Sequence, residues 1–203
     1  WRGTSLNWSG RLREGLEELG RCRRLTEEDG APEMTAYVVT WAAQAYYHAH
    51  DAERALASAR QSDEITRSLG EPPALVALTQ AAFGYAHLAA GRAADAIEPA
   101  RAALDVHGRV EKQLAGMSAH LLAEALLETG DLSAAEAAAA EAIALCRRSL
   151  RGNLEAAAHG VMARALLRRD GPAARDAVEA ALANAAALID RTGARTLAPA
   201  LLE

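Results

Sequence analysis

Few side chains in this 203-residue chain are spaced for chemistry, and those that are point to recognition rather than reaction. Tyr37, Trp41, Gln44 and His48 fall at i, i+4, i+7 and i+11, one stripe of a helix. Thr40 and Tyr47 flank that stripe. Tyr85, His120, Glu124 and Arg164 hold comparable places further along. These residues form the candidate partner-binding set. Tyr and Trp suit the role because each joins a large apolar body to a polar tip. Two readings of Trp41 and Tyr37 stand open: anchors in a groove, or packing against the preceding segment. The first predicts that Trp41→Ala weakens binding while helicity is unchanged.

No catalytic, metal or cofactor residue is assigned. The histidines are His48, His50, His87, His107, His120 and His159, and no HExxH or Cys-x-x-Cys spacing accompanies them. His48 and His50 converge only if a helix ends between them. His87 and His159 read as hydrogen-bonded packing residues. Phosphate-loop, dinucleotide and nucleophile-elbow patterns are missing. Catalytic carboxylates need burial and a neighbour that shifts their pKa. Glu17-Glu18, Glu27-Glu28-Asp29 and the Glu124/Glu128 pair read instead as solvated helix faces.

Net charge is −5 and Lys112 is the sole lysine, so no basic stripe suggests nucleic acid. Arg23-Arg24, Arg147-Arg148 and Arg168-Arg169 suit helix ends, where cations meet the negative pole of the dipole. Cys22 and Cys146 read as small core residues rather than a disulfide. No apolar run reaches the length of a membrane span. No membrane association is expected, and the expected location is cytoplasmic.

The elements that must position these residues recur. Turns read Ser9-Gly10-Arg11-Leu12, His50-Asp51-Ala52-Glu53, Ala90-Gly91-Arg92-Ala93 and Thr129-Gly130-Asp131-Leu132, with Asp170-Gly171-Pro172-Ala173 one residue out of step. Small residues follow each turn at Gly15, Ala55, Ala96, Ala135 and Ala174, at intervals of 40, 41, 39 and 39 residues. A fixed period of this length marks stacked helical hairpins. Alanine richness and a single Phe argue the same way. The expected organisation is one domain, 1–203. It comprises a partial repeat at 1–30, repeats near 33–69, 74–108, 110–150 and 153–192, and a partial cap at 194–203. Asp51 and Asp131 are the expected helix caps, Thr196 caps the final piece, and Pro99 should kink its helix. The chain opens at Trp1 inside a repeat, as expected of part of a longer protein. Its end segments, Trp1–Trp8 and 198–203, are candidates for pairing between chains into a homodimer.

The pattern resembles the tetratricopeptide repeat. Gln80, Phe83-Gly84 and His87, then Ala96, Ala100 and Ala103, carry the likeness best. Val39, Ala42-Ala43 and Tyr46 with Ala55 and Ala59 repeat it, as do Ala119, Leu122-Ala123 and Leu126 with Ala135, Ala139 and Ala142. The unit is longer than the usual one, and the second-helix aromatic and terminal Pro are mostly absent. The resemblance implies an all-α, right-handed superhelix, an α-solenoid of antiparallel helix hairpins. It also implies that first helices line a concave groove that takes a peptide or protein partner. The repeats and the ending Thr192-Gly193-Ala194-Arg195-Thr196-Leu197-Ala198-Pro199 are further similar to C-terminal arrays of large bacterial regulators, nucleotide cyclases and LuxR- or MalT-type transcription factors. That likeness implies a non-catalytic regulatory module that binds a protein partner or other domains of its own parent chain. A small-molecule effector held in the groove near Tyr85 and Trp41 is the alternative.

Overall fold

The computed structural model describes residues 2–198. Among these are ten α-helices: α1 (Arg2–Trp8), α2 (Leu12–Glu28), α3 (Pro32–His48), α4 (Ala52–Ser68), α5 (Pro73–Ala89), α6 (Ala93–Val110), α7 (Lys112–Thr129), α8 (Leu132–Arg148), α9 (Gly152–Asp170) and α10 (Arg175–Thr192). Two 3-10 turns, Gly171–Ala174 and Arg195–Leu197, precede and follow α10. The chain is an all-α solenoid. Each helix packs on the next, and first helices also pack on one another, α3 on α5, α5 on α7 and α7 on α9. Odd-numbered helices therefore make the inner layer and even-numbered helices the outer one.

The turns follow from local chemistry. Pro32 and Pro73 stand at helix starts, where a missing N–H costs nothing. Asp51 and Asp131 each accept a hydrogen bond from a first-turn amide, Arg54 and Ala134. Gly130 takes the left-handed conformation, φ 84°, that ends α7. At the equivalent point after α8 the chain uses Leu150, φ 55°, and so accepts a steric cost of about 1–2 kcal/mol that glycine would avoid.

Small residues at the helix crossings set the spacing. Gly15, Ala55, Ala96, Ala135 and Ala174 are all buried. A methyl group on Gly116 would lie 2.6 Å from Cys146 Sγ, and one on Gly84 would lie 2.6 Å from Leu121 Cδ2. These two glycines let α7 meet α8 and α5 meet α7 at short range.

A second period is polar. Thr35 Oγ1 donates to Thr26 Oγ1 at 2.8 Å, joining α3 to α2. Thr66 and Thr79 hydroxyls meet at 2.9 Å, joining α4 to α5. His107 Nδ1 and Ser118 Oγ lie 2.8 Å apart between α6 and α7. Arg147 donates to Glu155 at 2.6 Å and lies 3.5 Å from His159 Nε2, between α8 and α9. Every junction from one hairpin to the next thus carries a polar contact whose first member is residue 26, 66, 107 or 147.

Several local expectations change. Thr196 does not cap a helix: it lies in the 3-10 turn, and its hydroxyl donates to the Asn7 carbonyl. His87 Nδ1 has no hydrogen-bond partner, whereas His159 has Arg147. Cys146 is fully buried but Cys22 is only half-buried. Pro99 lies inside α6. Trp1 and residues 199–203, which the expected end segments include, fall outside the described residues.

Candidate functional site

The candidate residues divide along α3 into two groups and one outlier. The outlier is Thr40. It is fully buried with its hydroxyl 3.4 Å from Ser62 Oγ and 3.5 Å from the Leu78 carbonyl, so it faces α4 and α5. One residue's rotation on a helix is about 100°, enough to take it off the stripe.

The first group closes on itself inside the inner layer. Gln44 donates to the Tyr85 hydroxyl at 2.9 Å. The Tyr47 ring lies 5.7 Å from Tyr85 and 5.1 Å from His48, and Trp8 meets His48 edge-on at 5.2 Å. Arg164 of α9 donates to Glu124 of α7 at 2.7 Å, and Glu128 lies 3.8 Å away. Glu124 is 9% exposed, which corrects its reading as a solvated carboxylate. His120 is 3% exposed. Burial holds His120 down to about 4, helped by the Arg164 charge. Burial holds His48 down to about 4 as well, helped by His120 and His50. Tyr85 and Tyr47 are pushed up, again chiefly by burial. His48 Nε2, His120 Nδ1 and Arg164 Nε have no hydrogen-bond partner. Within the group the one buried carboxylate is tied to arginine and burial favours the neutral imidazoles.

The second group opens to solvent. Tyr37 donates to Glu111 Oε1 at 2.6 Å, linking the start of α3 to the start of α7. That contact and burial raise the Tyr37 phenol, burial being the larger cause. Trp41 is 6% exposed, and the Arg151 guanidinium sits 5.9 Å above its ring. Both aromatics line a cavity of about 550 Å³, with Leu19, Val38 and Leu114 beside them. Cys22 and Met34 reach the same cavity, and Glu111 and Arg151 place opposite charges on it. The burial of Trp41 changes what its substitution would report. Truncating a buried Trp costs about 3–5 kcal/mol of stability, so Trp41→Ala does not isolate binding.

Glu111 and Arg151 were not among the sequence candidates. Their signal is nevertheless in the repeat. They sit 40 residues apart, each immediately before an inner helix, where they flank the helices as N-caps without a side-chain cap bond. Helical period marks α3 itself and carries no mark of the turns that bring charge to it.

No family model and no curated protein matches the sequence. A solved structure does match the fold. It is a crystal structure of TPR-like repeats from Podosopora anserina described as a kinesin light chain, with 19% identity and a TM-score of 0.56. The match covers 94% of this chain and 92% of that one. The chain therefore has a TPR-like repeat fold.

Proposed function

We propose that this chain is a non-catalytic repeat module that binds a protein partner, and that it does so with the edge formed by the turns between hairpins. We further propose that it serves as a regulatory segment of a larger bacterial signalling protein, of the nucleotide-cyclase or LuxR type. The supporting observation is the placing of exposed apolar side chains. Leu25, Met34, Val110 and Leu150 are 58, 54, 58 and 92% exposed, and all lie at or beside turns that lead from one hairpin to the next. Leu167, 52% exposed, is the exception on the opposite edge. We take exposed apolar groups repeated along one edge as the docking surface. Leu150 argues most strongly, because it combines near-complete exposure with a strained left-handed backbone. The surface lies outside the concave stripe, whose deeper half is occupied by its own side chains.

Peptides selected from a displayed library on the intact protein test this reading. Binders should lose at least about tenfold in affinity on the Met34→Asp/Leu150→Asp protein and keep it on Leu167→Asp, with melting temperatures unchanged. Equal binding to the edge variant would contradict the proposal.

A second reading, a small-molecule effector site, is favoured by the cavity at Tyr37 and Trp41; Tyr85, expected beside Trp41 in that site, is instead 1% exposed and bonded to Gln44.

A further inference from the structure

We propose that this cavity binds a small organic acid with an apolar body, a carboxylate at one end and a hydrogen-bond donor at the other. The inference rests on the effector reading and stands whether or not a protein docks on the neighbouring edge. Its volume, about 550 Å³, falls in the range of small-ligand sites, roughly 300–1,000 Å³. Trp41 and Leu114 supply apolar contact.

Four charged side chains line the cavity; Arg2 and Glu18 form an ion pair at 3.9 Å, which leaves Glu111 and Arg151 to assign the two heads. The Arg151 guanidinium lies over the Trp41 ring, 5.9 Å from its centre, and makes no side-chain hydrogen bond or ion pair with a described residue. Nearby Arg147, by contrast, is satisfied by Glu155. The Arg151 donors form a fork that matches a carboxylate. Glu111 is the counterpart. Tyr37 occupies its Oε1, while its Oε2 is shielded from solvent and has no partner. A buried acceptor left unmatched carries a desolvation penalty, which a ligand donor would relieve. The ligand's own anion avoids Glu111 by like-charge repulsion and goes to Arg151. Tyr37 and Trp41 are one helical turn apart, so Glu111 on the first and Arg151 over the second act on two separate heads.

Cys22 reports occupancy directly. It lines the cavity and is half-buried, whereas Cys146 is fully buried with its thiol pushed up to about 12 by that burial. A thiol-reactive dye should therefore label Cys22 alone. Three probes separate the heads: p-hydroxyphenylpropionate carries both, phenylpropionate lacks the donor, and p-hydroxyphenylpropanol lacks the carboxylate. The full probe should slow Cys22 labelling, and each truncated probe should need at least about tenfold more for the same protection. In Arg151→Gln the acid and the alcohol should become equivalent, and in Glu111→Leu the phenol should confer no gain. The wild-type comparison needs no variant to fold. Equal protection by acid and alcohol on the wild type would overturn the carboxylate assignment, and no protection by any probe would overturn the site. Loss of the edge-binding peptides would leave this result untouched, so the two readings fail separately.

Discussion

Burial, more than identity, decides what each candidate side chain does. The stripe Tyr37, Trp41, Gln44 and His48 was legible because helical period alone sets it. Which part of the stripe is open was not legible, because that depends on α7 and α9, whose candidate residues lie 70 to 130 positions away. His120 and His107 show the consequence. They are 3% and 0% exposed, and burial lowers both to about 4. An unfolded histidine titrates near 6.5. Below that pH the unfolded chain takes up protons that the folded chain refuses, so stability is full above about pH 6.5 and is lost as pH falls toward 4. The loss is about 1.4 kcal/mol per pH unit for each group. Urea midpoints measured from pH 7 to 4.5 should fall steeply, and His107→Asn should flatten the slope by about one proton. A flat profile in the wild type would show that these imidazoles are not buried as described.

At the level of helices, the sequence is most informative at turns and crossings. Asp51, Asp131, Gly70 and the Pro-led starts announce themselves through local chemistry. So do the buried alanines, through their period. The polar contacts at Thr26, Thr66, His107 and Arg147 are periodic too, yet they escape notice because the residue type changes at each step. Only position is repeated, and the pairing partner is another helix. Two glycines separate spacing from propensity. Gly108 is exposed in α6 with nothing within 4 Å of a would-be methyl, so Gly108→Ala should stabilise by about 0.5–1 kcal/mol. Gly116→Ala meets Cys146 Sγ at 2.6 Å and its backbone nitrogen at 3.2 Å, and should destabilise by about 1–3 kcal/mol. Thermal or chemical denaturation of the two variants compares them directly. A stabilising Gly116→Ala would mean that α7 and α8 are not held at this distance.

Across the whole molecule, the stacking brings together parts that the chain keeps far apart. Tyr37 reaches Glu111 across 74 positions, and Thr196 reaches Asn7 across 189. The 3-10 turn after α10 thereby touches α1. An all-α solenoid follows from a period near forty residues, but how far it winds before its ends meet depends on small rotations summed over every repeat. That sum is written in no local motif, and it is what shapes the cavity and its charged rim. The central claim is that recognition occurs on the hairpin-to-hairpin edge around this cavity. Photocrosslinking from benzoylphenylalanine placed in turn at Met34, Val110, Leu150 and Leu167, in cells producing the protein, tests it most directly. The account predicts one common adduct from the first three positions and none from Leu167; an adduct from Leu167 with none from the other three would contradict it.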